Sequence, residues 1–373
     1  MTAELSVKLL YGPDRWFREK CPSSSKSLLD VAYEQDEAQR TYRLEGHEPE
    51  KSKDDTVRYE VLFARSSDFA SLSEHTITNF VGFIRRLNPE TLVLQNPPER
   101  VARQLSRAFN VENEHFDYPV VNFETLRKFN ENYGKKVIGQ PKVKELLLSA
   151  LYQLTHSEKT SPVVLMFYGP SGVGKTETAK FINDLLNGKL LRKQFSMYHS
   201  EKFASYLFGG THSESSFAHD LLDRESGVIL IDEFDKANPV FHGAFYQFFD
   251  EGTYEDRNYR VEVGRSLIIC TSNYSSPQEI REALGDALYS RFDAFIKYDY
   301  LSSQDLREVV HKIVSRRLKR LSSNERNILD EHKIESAIWE YSQNGSGNVR
   351  QIIKMTEQLI ALKLVRSIIE GEK

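Results

Sequence analysis

Several classes of protein are excluded by what this sequence lacks. It has two cysteines in 373 residues, Cys21 and Cys270, too few and too isolated for a disulfide framework or a zinc cluster, and this usage fits a reducing compartment. His199, His212 and His219 have no Cys or acidic ligands at recognised intervals and read as surface or core histidines. No apolar run approaches the ~20 residues of a membrane span; runs such as Val163 to Tyr168 read as buried strands. Met1 to Tyr11 lacks the basic segment, apolar core and small-residue cleavage site of a secretion signal, so a cytoplasmic location and no membrane partner are expected. Charge of one sign is also missing. With 50 basic against 54 acidic residues, neither a strongly basic nucleic-acid binder nor an acidic disordered tail describes the whole chain. There is no internal repeat and no low-complexity tract.

The chain is 39% hydrophobic and long enough for two to three domains. Residues 1–120 hold 16 basic and 20 acidic side chains, so the net charge of −4 arises there. This part reads as an α/β domain: a charged loop over Glu34–Asp55, strands over Thr56–Ala64 and Glu90–Leu94, and helices over Ile77–Leu87 and Pro97–Phe109. It carries no recognisable chemical motif. A boundary is expected within Asn113–Asn122, followed by a helix over Phe123–Asn132. Over 121–302, buried strands (Val163–Tyr168, Gly227–Ile231, Ser266–Thr271) alternate with amphipathic helices, which implies a mostly parallel sheet covered on both faces. Residues 303–373 read as helices only, including Asp305–Leu318, Glu335–Ser342 and Val349–Ile369, and form a separate small domain.

Chemistry concentrates at two places. Gly169-Pro170-Ser171-Gly172-Val173-Gly174-Lys175-Thr176 satisfies the phosphate-loop pattern between an apolar strand and a helix. The glycines let backbone N–H groups and the helix N-terminus face phosphates, Lys175 can reach the β/γ oxygens, and Thr176 can ligate Mg²⁺. At the end of the strand Val228-Ile229-Leu230-Ile231 stand two adjacent acids. Strand alternation aims them differently, so Asp232 suits a place beside Mg²⁺ and Glu233 suits polarising a water for attack on the γ-phosphate. A serine hydrolase is rejected, because the stretch around Ser171 lacks the final glycine of G-x-S-x-G. The run Arg316-Arg317-Leu318-Lys319-Arg320 reads as a solvated helix face.

From Lys135 to Lys373 the chain resembles the AAA+ ATPases, and among them the Clp-type unfoldases and disaggregases, with torsin-like ATPases as further relatives of that branch. The resemblance rests on Gly169 through Lys180, on Val228 to Pro239 (VILIDEFDKANP), and on the stretch from Asp250-Glu251-Gly252 to Thr271-Ser272-Asn273. It implies a P-loop AAA+ domain with a C-terminal helical lid, ATP and Mg²⁺ as ligands, a nucleotide cradle running from Gly169 through Glu177, and Asp232 and Thr176 at the metal. It further implies that Asn273 is the first sensor, that Arg291 is an arginine finger acting on a neighbouring subunit's ATP, and that Arg350 is the second sensor in the lid. Val137-Ile138-Gly139-Gln140 is similar to the segment lining the adenine pocket. A finger in trans requires an oligomer, and the resemblance implies a ring of six.

Two departures bear on function. The Gly-Tyr-Val-Gly loop with which Clp-type unfoldases grip polypeptide is absent, and Tyr206, Phe208 or Phe217 could either replace it or belong to the core. Val81-Gly82-Phe83 is similar to a protease-docking tripeptide but lies outside the ATPase domain and reads as core. The expected activity is ATP hydrolysis coupled to remodelling of a protein partner recruited by residues 1–120. Two rivals stand beside it: a nucleic-acid-directed motor or loader, disfavoured by composition, and a slow nucleotide-gated scaffold.

Overall fold

The structure, a computed structural model, describes residues 5–34, 59–197, 200–344 and 348–371. Nearly all of the loop expected over Glu34–Asp55, the first residues of the strand expected from Thr56, and His199 lie outside the described residues.

Two parallel sheets organise the chain. The first comprises β1 (Ser6–Tyr11), β2 (Lys26–Ser27), β3 (Val61–Ala64), β4 (Thr91–Gln95) and β5 (Val111–His115), in the order β2-β3-β4-β1-β5. β1 pairs with β4 on one side and β5 on the other, so Val7, Leu9, Leu92 and Leu94 are buried between flanking helices. The sequence pattern predicts one helix over Ile77–Leu87, whereas the structure has two, Glu74–Thr78 and Phe80–Leu87, broken at Asn79 with φ −122° and ψ 51°. The break is satisfied from outside. Gln104 accepts from the Phe80 N–H at 3.0 Å and donates to the Ile77 carbonyl at 2.9 Å. Gln104 belongs to the helix Glu99–Ala108, which buries Val101 and Leu105. Phe83, in the docking-like tripeptide, is 7% exposed and packs into this core.

The second sheet comprises β6 (Val163–Tyr168), β7 (Leu191–Gln194), β8 (Val228–Asp232), β11 (Leu267–Thr271) and β12 (Ala294–Lys297), in the order β12-β6-β11-β8-β7. Every residue of β6, β8 and β11 is buried, which requires cover on both faces. On one face lie the helices Phe123–Lys136, Pro141–Gln153 and Lys175–Leu186. On the other, an aromatic core gathers Phe195, Phe217, Phe234, Phe245 and Phe248. An antiparallel pair, β9 (Thr253–Glu255) and β10 (Arg260–Glu262), borders that core. Tyr206 and Phe217 are buried at 4% and 0%, whereas Phe208 is 48% exposed, so two of the three candidate gripping aromatics are core residues.

After β12 follow the helices Ser303–Leu318, Ser323–Ile328, Glu331–Asn344 and Val349–Gly371, and they enclose Val310, Val314, Ile334, Ile338 and Ile352. Arg316, Lys319 and Arg320 are exposed, while Arg317 pairs with Glu357.

The first sheet docks on the second unit through polar contacts. The histidines dismissed as ligands contribute: a hydrogen bond of 2.6 Å joins His219 Nε2 to Ser66 Oγ, and His212 bonds Glu74 at 2.9 Å and the Leu72 carbonyl at 2.7 Å. Asp223 accepts from the backbone N–H of Asp14 at 3.1 Å, and the Glu99 N–H donates to the Asn258 carbonyl at 2.8 Å.

Candidate active site

The phosphate loop joins β6 to the helix Lys175–Leu186, and its shape depends on glycine. Gly169, Gly172 and Gly174 have φ of 121°, 80° and 110°, a region that side chains disfavour. A Cβ at Gly169 would lie 2.2 Å from the Tyr298 carbonyl, and one at Gly172 would lie 2.2 Å from Asn348 Oδ1, so the residue preceding the helix Val349–Gly371 approaches the loop closely. Pro170 and Ser171 complete the turn, and Val173 anchors it in the core at 5% exposure.

A cleft of about 460 Å³ opens over this loop, lined by Ser171, Gly172, Gly174, Lys175, Thr176, Glu177, Asp232, Glu233, Asn273 and Arg350. Most of the expected cradle and catalytic residues therefore meet in one place. Val137 and Ile138 do not line the cleft. Val137 is buried and packs on the loop, with its Cγ1 3.3 Å from where a Cβ on Gly174 would stand, and Gln140 Nε2 donates to the Val173 carbonyl at 3.4 Å. Arg291 is elsewhere. Its Nε donates to Asp250 at 2.8 Å and its guanidinium lies 4.5 Å from the centre of the Tyr246 ring.

Lys175 is 8% exposed; its ammonium donates to the carbonyls of Gly169 at 2.5 Å and Pro170 at 2.8 Å and to Asn273 Oδ1 at 3.3 Å. Burial lowers its pKa to about 8, against the pull of Asp235 and Asp232, and Arg350 adds a repulsion in the same direction as burial. Arg350 lines the same cleft as Lys175. Glu233 has φ 58°, uncommon for a non-glycine residue, and its N–H donates to Thr271 Oγ1 at 3.0 Å. The strained backbone turns Glu233 away from the line of β8.

Two residues that the sequence reasoning missed also line the cleft, Arg192 and Gln194. Both come from β7, whose register pairs Gln194 with Asp232. Arg192 donates to Asp232 Oδ2 from Nε at 3.0 Å and Nη2 at 2.5 Å, and Gln194 Nε2 donates to Glu233 Oε2 at 2.9 Å. Their two-residue spacing aims both side chains to one face of the strand. No local pattern marked them, because Arg192, Lys193 and Gln194 are consecutive polar residues.

The donor set fits a hard cation. The Thr176 hydroxyl and the Asp232 carboxylate, 4% exposed, share the cleft wall, and the Ser272 hydroxyl, 1% exposed and also in the lining, has no hydrogen-bond partner among the described residues. Oxygen ligands with a phosphate alongside are what Mg²⁺ selects.

Residues 161–324 match the family model described as an AAA domain of the Cdc48 subfamily. This stretch, from just before β6 into the helices after β12, is thus similar to AAA domains. Similar proteins include the chaperone protein ClpB of Chlamydia pneumoniae, 25% identical over 67% of this chain and 33% of its own length. The ClpA homolog protein of Fuscovulum blasticum is 28% identical over 67% and 35% respectively, and heat shock protein 100 of Trypanosoma brucei brucei 26% over 67% and 32%. The chain thus spans about a third of the length of these relatives. In fold it is similar to Hsp104 in a closed-state cryo-EM reconstruction with ATPγS and FITC casein, with a TM-score of 0.57, 14% identity, and 98% of this chain and 89% of that chain covered. The matched residues contain the whole of the second sheet and the phosphate loop. Among the described residues no helix is long and apolar enough to cross a membrane.

Proposed function

We propose that this chain is a Mg²⁺-dependent ATP hydrolase that works as a ring and uses the energy to remodel a protein partner. The observation that carries the reading is the convergence of Lys175, Asp232, Glu233, Asn273 and Arg350 on one cleft above the phosphate loop. Lys175 binds the β/γ-phosphates, exchanging its bonds to the Gly169 and Pro170 carbonyls for phosphate oxygens. Thr176 and Asp232 hold Mg²⁺, which, when bound, neutralises charge developing on the phosphoryl oxygens. Asp232 must first leave Arg192. Glu233 accepts a proton from the attacking water, Asn273 orients that water, and Gln194 holds Glu233 until nucleotide binds.

Arg350, carried by the lid helix Val349–Gly371, couples phosphate charge to lid position. Arg291 acts on the neighbour's nucleotide, once released from Asp250, by stabilising charge on the transferring group. Arg291 lies outside its own chain's cleft, which supports action in trans and hence a ring, expected to hold six subunits. Residues 1–120 recruit the partner, 121–302 bind nucleotide and 303–373 form the lid, in the cytoplasm.

The test is capture by the Glu233→Gln chain held with ATP, with ADP as control. A specific protein retained only with ATP supports the reading. Retained nucleic acid would move it to a motor or loader, and nothing retained despite assembly would move it to a nucleotide-gated scaffold.

A further inference from the structure

A second and larger cavity, about 1020 Å³, lies between the first sheet and the AAA+ domain. On one side stand Tyr11 and His115, at the carboxyl ends of β1 and β5, with the helix Glu99–Ala108; on the other stands β10 with the turn that follows it. A recess of about 410 Å³ shares Glu99, Arg103 and Arg107 with this cavity and adds Arg100 and Arg257. β5 lies on the opposite side of β1 from β2, β3 and β4. Crevices outside the carboxyl ends of parallel strands at such a reversal are where open α/β sheets bind ligands.

The charge is one-sided. Seven arginines but three acids line the two spaces together, and no lysine does. Arg100, Arg103 and Arg107 recur at helical spacing, so they share the face opposite the buried Val101 and Leu105. Glu99 pairs with Arg103 at 2.6 Å, and Glu74 lies 3.5 Å from Arg100. Arg107 and Arg257 have no ion pair among the described residues, and both are exposed.

Deeper in the cavity wall Arg224 is 3% exposed and has no carboxylate partner among the described residues. It donates to the carbonyls of Leu221 at 2.6 Å and Val263 at 3.4 Å and lies 3.7 Å from the centre of the Tyr118 ring, while its Nε bonds none of the described residues. A buried guanidinium without a counter-charge is costly, and an anion in the adjoining cavity offsets that cost. Arginine rather than lysine suits phosphate, because its planar fork engages two oxygens.

The wall also offers a stacking surface. The rings of Tyr11 and His115 are stacked with centres 4.9 Å apart and planes 15° apart, and His115 is exposed, so its outer face is open to a base.

We propose that this cleft binds a nucleoside phosphate, with its phosphates on Arg103, Arg107 and Arg257 and its base against His115. The ligand is a free nucleotide or the exposed end of a single strand, two sources of one chemistry. Its binding ties the first sheet to the β9–β10 hairpin of the AAA+ domain, already joined by the Glu99–Asn258 backbone bond.

The test uses the full chain carrying Lys175→Ala, which weakens binding at the phosphate loop. It is titrated calorimetrically with ADP, GDP, CDP and UDP, and with single-stranded RNA of about ten nucleotides, at about 50 mM salt. At least one probe is expected to bind, and Arg103→Ser/Arg107→Ser/Arg257→Ser is expected to weaken it about tenfold or more. Arg107→Ser alone, at an exposed position without an ion pair, is expected to weaken it about threefold or more and covers the case in which the triple variant misfolds. Binding of a diphosphate identifies the free nucleotide as the source, and binding of RNA alone identifies the strand. Absence of binding by every probe, or binding unchanged by these substitutions, overturns the proposal. ATP binding at the phosphate loop of the unsubstituted chain is measured separately, so failure of either site is distinguishable.

Discussion

Arg192 and Asp232 are ion-paired inside the nucleotide cleft, with Arg192 Nη2 and Asp232 Oδ2 2.5 Å apart and the carboxylate side chain 6% exposed. The pair holds the acid that the proposed mechanism assigns to Mg²⁺, so nucleotide binding and release of Arg192 are linked. Arg192→Ala leaves Asp232 without its cation, and since Arg192 is itself 36% exposed the cost to the nucleotide-free chain is about 1–2 kcal/mol. Thermal unfolding should show a lowered Tm without ligand that is restored by ATP and Mg²⁺. An unchanged Tm without ligand would mean the pair stabilises nothing.

Lys175 makes the site sensitive to pH. Its pKa in the free chain is lowered to about 8 by burial, below the ordinary value of 10.5, so between these values the unfolded chain binds more protons than the folded one. Nucleotide-free stability therefore rises with pH across that window. Affinity moves the other way: phosphate raises the Lys175 pKa again, while ATP, whose last phosphate pKa is near about 6, gains no further charge there. ATP affinity is expected to fall by up to about tenfold per pH unit above pH 8, with proton uptake on binding. Calorimetry in buffers of different ionisation enthalpy reads that uptake; a pH-independent affinity from neutral pH to well above 8 would contradict it.

The aromatics between the two nucleotide motifs divide by burial. Phe217 is 0% exposed and meets Tyr206, Phe245, Phe248 and Tyr254 at ring-centre distances of 6.1, 6.2, 5.7 and 4.9 Å. Phe217→Ala should cost about 3–5 kcal/mol of stability in denaturant titration. Phe208→Ala, at a residue 48% exposed, should stay within about 0.5 kcal/mol. If any of the three grips a partner, it is Phe208, and its loss should reduce partner-stimulated turnover at unchanged stability.

Arg291→Ala removes a bond to Asp250 near the surface and nothing from the cleft of its own chain. The monomer should remain folded and bind ATP with unchanged affinity, while turnover falls by several powers of ten. Mixing Arg291→Ala with Glu233→Gln chains should restore part of the activity if the finger acts in trans. No recovery in assembled mixtures would remove that assignment.

The phosphate loop and the acidic strand end were legible because each is a local pattern in which adjacent residues set the geometry, and β6, β8 and β11 announced themselves as apolar runs. β7 did not. Its four residues LRKQ form a polar edge strand that reads as loop, and the roles of Arg192 and Gln194 arise only from register against β8. β5, with the sequence VENEH, is hidden for the same reason. The break at Asn79 depends on Gln104, which is 25 positions away in sequence, and the pairing of Arg291 with Asp250 is likewise long-range. The seven-arginine cleft was invisible in the charge balance, because its members come from both units and their excess is cancelled elsewhere.

The central claim is that Glu233, turned away from β8 by its positive φ, activates the water that attacks ATP. Its most direct test is phosphate release under single-turnover conditions by Glu233→Gln, with ATP binding measured in parallel. ATP affinity within about threefold of the unsubstituted chain, with hydrolysis slowed by about 10²-fold or more, is the predicted result. Near-normal hydrolysis with ATP bound would contradict the account.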